Sequence, residues 1–211
     1  MNLYNFRSEI PKNPFAPKYN YFFCSENCFD LLDIKKITFI VLKKEKEILS
    51  KYPPTKKTSI DGYTNLGKNS LTSRYSHYNI FDWDEIKVLN LKSVILDTHS
   101  KFLKELGYPM PSKIDLKGWA NVMRKNEKID SHIHSVNSNS YLSGHVNIQV
   151  DNTSTFYVNP VNVLNEPTVV EIKNKVGEIT LFPSCMPHYT NKQTTDKERI
   201  TIAFDLFCEY K

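Results

Sequence analysis

The spacing of hydrophobic positions changes character near residue 110. Before it, Leu91, Val94, Ile95, Phe102, Leu103 and Leu106 recur three and four apart, the period of one helix face, and Gly107 supplies a stop. This predicts a helix from about Asn90 to Leu106. The stretch Ile37 to Leu49 fits strand or helix equally, and Pro53, Pro54 and the polar run to Arg74 predict a long loop. From Gly118 onward the pattern turns strand-like. Short apolar or alternating runs predict strands at Trp119 to Met123, His145 to Val150, Thr155 to Val158, Val169 to Ile172, Glu178 to Phe182 and Ile200 to Phe207. Turn-formers separate them: Asp151-Asn152, Asn165-Glu166-Pro167 and Lys175-Val176-Gly177.

Short strands at even intervals predict a mainly β (α+β) fold, a sandwich, barrel or jelly roll, with a helix covering one outer face of the sheet. The chain of 211 residues has room for one domain with a sizeable core. Residues 1–117 read as helix and loop support with extra strands, and residues 118–211 as the β core. Composition agrees: twelve Tyr and twelve Phe against only six Gly suit pleated, half-buried surfaces. No internal repeat or low-complexity tract is visible.

Charge adds little. The formal net charge of +5 is spread over many lysines, densest between Lys35 and Lys57, and reads as a solvated face rather than a nucleic-acid surface. Cys24, Cys28, Cys185 and Cys208 fit no zinc or thioredoxin spacing, and a chain of this size does not need disulfides. The N-terminal residues lack a signal-like apolar core, and the longest apolar run, Ile37 to Leu42, is too short to span a bilayer. The expectation is a cytoplasmic protein with free thiols.

The segment Asp130-Ser131-His132-Ile133-His134 carries candidate chemistry. In a strand, Asp130, His132 and His134 would share one face, and two neutral imidazoles two residues apart can reach one metal ion. Alone, the His-x-His pair, a spacing that chance often produces, reads first as two surface histidines at a strand end. A second segment, Gly177-Glu178-Ile179-Thr180-Leu181-Phe182-Pro183, is followed by His188 and, eleven residues later, by Arg199, which opens the apolar strand Ile200-Thr201-Ile202-Ala203-Phe204. A buried arginine is costly unless something anionic meets it. The alternative is an arginine at the strand mouth, reaching water.

Taken together, His-x-His, the strand ending Phe182-Pro183-Ser184, His188, and Arg199 before Ile-Thr-Ile-Ala-Phe resemble the iron(II)/2-oxoglutarate oxygenase superfamily. More narrowly, they resemble a small bacterial and phage branch of it, which carries a Trp about a dozen residues before His-x-His, like Trp119, and a Ser-Gly pair opening the next strand, like Ser143-Gly144. The match runs from Gly118 to Phe207. It implies a double-stranded β-helix, the cupin-like jelly roll, with flanking N-terminal helices. It implies His132 and His188 as metal ligands, Arg199 and Thr201 on the distal carboxylate of 2-oxoglutarate, and Asn121 as a further co-substrate contact. The superfamily pattern is His-x-Asp, so His134 stands at the carboxylate position. The third ligand is then His134, Asp130 or a non-protein group, and the shared His-x-His favours His134.

The resemblance implies iron(II), 2-oxoglutarate and O2 as cofactor and co-substrates, and a hydroxylase-type oxidation with release of succinate and CO2. The primary substrate, a small molecule or a peptide, is not legible, nor is the oligomeric state. Two other functions remain open: a three-histidine dioxygenase of cupin type without 2-oxoglutarate, and a non-catalytic jelly-roll binding module. The tract Asn69 to Tyr75 is polar enough to line a pocket but reads first as a surface loop.

Overall fold

The computed structural model describes residues 1–54, 64–87, 89–134, 137–161 and 169–209. Among the described residues, nine strands form two antiparallel sheets. The larger sheet has six strands: β1 (Asn2–Arg7), β2 (Asn20–Asn27), β3 (Lys113–Met123), β4 (Ser140–Gln149), β7 (Glu178–Pro183) and β9 (Arg199–Glu209), in the order β1-β2-β7-β4-β9-β3. The smaller has three: β5 (Ser154–Val158), β6 (Val169–Lys173) and β8 (His188–Thr190), in the order β6-β5-β8. His132 forms an isolated antiparallel bridge to His188, which prolongs the small sheet past β8. From β4 onward the chain visits large, small, small, large, small and large sheet in turn. This alternation is the jelly-roll arrangement.

Period-two patterning explains how the two faces of the large sheet differ. On β9, Ile200, Ile202, Phe204 and Leu206 join one core cluster with Val146 and Ile148 of β4, Ile179 and Leu181 of β7, and Ala120 and Val122 of β3. The same cluster holds the inward residues of two helices, α1 (Ile34–Lys51) and α3 (Leu91–Leu106), with a short α2 (Asp84–Lys87) between them in sequence. The opposite face of β9, Arg199, Thr201, Ala203 and Asp205, lines a cavity between the sheets. A second cluster, with Phe6, Phe23, Tyr157, Ile172, Phe182 and Met186, closes one end of that space.

The ambiguous stretch at Ile37 is helix. Ile37, Ile40, Val41 and Ile48 bury one stripe, and the Asp33 side chain caps the first turn by accepting from the Lys36 amide at 3.1 Å. Within that stripe Glu45 is also buried, where it pairs with both terminal nitrogens of Arg124, at 3.1 and 2.8 Å, just beyond β3. The helix predicted at Asn90 begins one residue later and ends at Gly107, whose φ of +69° is the left-handed conformation glycine adopts without strain. All six predicted strands are present, and β3, β4 and β9 are longer than expected. Sequence patterning did not reveal β1, β2 and β8. In β1 only Phe6 is buried, so the apolar alternation that marks a strand is missing. The predicted turn at Asn165-Glu166-Pro167 and residues 55–63 of the predicted loop lie outside the described residues.

Candidate metal and co-substrate site

The segment 130–134 is not a regular strand but an extended stretch held to β8 by paired backbone bonds, His132 N to His188 O at 3.2 Å and His188 N to His132 O at 3.1 Å. The His134 amide donates to Ser184 O at 2.9 Å, which ties the same stretch to the loop before β8. These bonds bring His132, His134 and His188 together, with their ligand-type nitrogens all within 4.8 Å of one another. Ring centroids lie 4.3 Å apart for His132–His188 and 5.1 Å for each of the other two pairs. Asp130 is not part of the group: its carboxylate pairs with Lys128 at 2.7 Å, and its backbone oxygen serves His132 instead.

Every Nδ1 in the trio has an acceptor. His132 Nδ1 meets Asp130 O at 2.9 Å, His188 Nδ1 meets Met186 O at 3.1 Å, and His134 Nδ1 meets Asp205 Oδ1 at 2.6 Å. An Nδ1–H donated to each acceptor leaves the Nε2 lone pair as the free face of each ring, which is how metal-ligating imidazoles are oriented. The Nε2 atoms of His132 and His134 stand 3.2 Å apart. Two lone pairs at that distance repel, and a shared cation turns the repulsion into attraction. Burial lowers the basicity of His188 well below the ordinary histidine value, and its two histidine neighbours lower it further, so the ring is neutral and able to ligate. Trp119 and Phe182 wall the trio, with centroids 5.4 Å from His134 and 4.5 Å from His188.

The trio opens onto a cavity of about 460 Å³. Arg199 lines it as the first residue of β9 and is only 2% exposed. One of its terminal nitrogens contacts Met123 Sδ at 3.1 Å, its Nε has no partner, and among the described residues no carboxylate lies within ion-pair distance of it. Burial lowers its pKa to about 10, still cationic at neutral pH. Thr201 faces the same cavity, between its cross-strand partners Asn121 on β3 and Asn147 on β4. Asn121 accepts a bond from Thr72 at 2.7 Å, so its amide nitrogen is the end left for a cavity ligand.

Two cavity features were not singled out from sequence, and a third was read differently. Asp205 continues the alternation Arg199, Thr201, Ala203, so a period-two reading of β9 could have found it. His145 is buried and bonds the Tyr157 hydroxyl at 2.8 Å. Burial, reinforced by the Arg199 charge, pushes His145 down to about 3, and burial raises Tyr157, so both are neutral. No local signal marks that pair, because its partners come from different sheets. The tract at Asn69 to Tyr75 is not a surface loop. Thr72 and Ser73 are buried, and Thr72 and Tyr75 line the cavity. Arg74, fully buried, holds the tract in place by donating to Tyr52 O and Lys68 O, each at 2.6 Å.

Residues 117–205 match a family model described as "Putative 2OG-Fe(II) oxygenase". No curated protein matches the chain. Among solved structures, the chain is similar to a prolyl-4-hydroxylase from Pseudomonas putida, with 10% identity, TM-score 0.52, and 90% of this chain and 93% of that one covered. It is also similar to a prolyl hydroxylase from Trichoplax adhaerens, solved with a peptide of the hypoxia inducible factor oxygen degradation domain, with 16% identity, TM-score 0.53, and coverages of 88% and 83%. A nickel complex of the non-heme monooxygenase ThoJ aligns with 14% identity and TM-score 0.51, over 88% and 73% of the two chains. These likenesses place the two sheets in the double-stranded β-helix fold. In sequence over residues 117–205, and in fold over 90% of its length, the chain resembles the iron(II)/2-oxoglutarate oxygenase superfamily.

Proposed function

We propose that this chain is an iron(II)- and 2-oxoglutarate-dependent oxygenase of the hydroxylase type. The observation that carries the reading is a buried guanidinium without an anionic partner, opening onto the cavity into which three histidines converge. A metal-only dioxygenase would leave Arg199 without a task and at the full cost of its burial. A dicarboxylate co-substrate supplies the missing anion.

His132, His134 and His188 would hold the metal. Arg199 would grip the distal carboxylate of 2-oxoglutarate through its planar fork, with Thr201 adding a hydroxyl donor and Asn121 an amide donor. Iron(II) and 2-oxoglutarate bound here supply the O2-dependent oxidation of a substrate C–H bond, releasing succinate and CO2. The protein's part is orientation and dryness. The hydrogen bonds on Nδ1 fix three rings, Trp119 and Phe182 exclude water on their flank, and the neutral His145–Tyr157 pair adds no charge beside Arg199.

The test is conversion of 2-oxoglutarate to succinate by purified protein under air, with and without iron(II). Iron-dependent succinate release is the expected result. O2 uptake that needs iron but not 2-oxoglutarate would favour the cupin-type reading, and absence of iron binding would favour a non-catalytic module.

A further inference from the structure

We propose that Asp205 is a positioning residue that supplies, through His134, the negative charge that a carboxylate ligand would otherwise give the metal. The inference rests on the metal site proposed above and concerns how its third imidazole is tuned.

The three histidines are not backed alike. His132 and His188 rest on neutral backbone carbonyls, whereas His134 donates to a carboxylate at 2.6 Å. That distance lies below the usual range for a charge-assisted N–H···O bond, which marks a strong contact. The Asp205 oxygen that receives it is fixed by a relay: Ser143 Oγ donates to it at 2.7 Å, and Ser184 Oγ lies 2.9 Å from Ser143 Oγ. Ser184 also accepts the backbone N–H of His134 through its carbonyl. Ring and backbone of His134 are thus anchored by one cluster drawn from β4, β9 and the loop before β8.

The chemical consequence follows from charge. Three neutral imidazoles leave a divalent ion with its full double charge, while a carboxylate ligand would cancel one unit. A carboxylate on Nδ1–H draws that proton toward itself and increases electron density at Nε2, which strengthens His134 as a donor to the metal. Asp205 therefore acts on the metal from one imidazole away, and the serine relay keeps its oxygen in line.

The experiment uses the full chain loaded with cobalt(II) under argon. Affinity is measured by calorimetry, and the exchangeable Nδ1–H protons are read as paramagnetically shifted proton resonances in water. The wild type should bind cobalt and show three such resonances. Asp205→Ala should weaken binding by roughly 10–100-fold, and one resonance should move or vanish by exchange with water while the other two stay. Asp205→Asn, which keeps an acceptor oxygen and nearly the same shape, should fall between the two in affinity and shift that same resonance. It decides the matter if the alanine variant does not fold. Variants with wild-type affinity and three unmoved resonances would overturn the role of Asp205 while leaving the metal site intact. A wild type that takes up no cobalt would overturn the metal site and this role together.

Discussion

His188 and Arg199 divide the labour of the site, and their substitutions should separate it. His188 is one of three converging histidines, and its ring lies on a short strand that pairs with β5 and with the 132 segment. His188→Ala should abolish tight iron(II) binding yet leave the sheets folded, which calorimetric iron titration and circular dichroism would show together. Arg199→Lys keeps the charge but loses the fork. Each lost charge-assisted hydrogen bond is worth roughly 1.5–3 kcal/mol, about one to two decades of affinity, so the 2-oxoglutarate dependence of succinate release should shift by that factor while iron binding is retained. A curve that does not move would remove Arg199 from the co-substrate site.

Among the elements, β4 packs closely against its neighbours. Gly144 faces the Thr180 carbonyl oxygen and the Phe204 ring, and a Cβ there would run into both. Gly144→Ala should therefore destabilise by about 1–3 kcal/mol, as overpacked cores do, read as a lowered midpoint in chemical denaturation. The seat of α3 on the large sheet brings a pH dependence. His99 is buried on α3, bonds the Tyr141 hydroxyl at 3.2 Å, and is pushed down by burial to about 4. The unfolded chain takes up the proton near the ordinary histidine value of about 6.5, and the folded chain does not until about 4. The unfolded state binds more protons inside that window, so stability should fall as pH drops from 6.5 toward 4. His99→Gln should flatten part of that slope in thermal melts recorded across the window.

At the scale of the whole molecule, ligands that bind only the folded chain should raise its melting temperature. A ligand at a hundred times its dissociation constant contributes about 2.7 kcal/mol, and in a chain of this size each kcal/mol moves Tm by about 2–4 °C. Cobalt(II) and 2-oxoglutarate added in sequence should give two increments. Arg199→Lys should lose most of the second, and His188→Ala should lose both. A single increment from 2-oxoglutarate without metal would place its binding elsewhere. No helix among the described residues is long and apolar enough to cross a membrane, and the apolar stripes of α1 and α3 pack in one core cluster with the large sheet.

The strands from β3 to β9 were legible apart from β8, and so was α3, because burial on one face imprints a local period of two or 3.6 that needs no knowledge of the partner. The set His132, His134, His188 and Arg199 was legible for a different reason: its order and spacing resemble the oxygenase pattern, while each piece alone said little. Strand β1 escaped notice because it buries little, and β2 because it buries Phe23, Cys24 and Ser25 in succession, so neither carries a clear alternation. What tertiary structure alone decided is which distant groups meet. Asp205 reaches His134 across 71 residues, and Tyr157 meets His145 across the space between the sheets. Closing the sheets over one another places these partners, and no local periodicity records that closure. The sequence therefore determined which side chains face inward, and the fold determined what each of them faces.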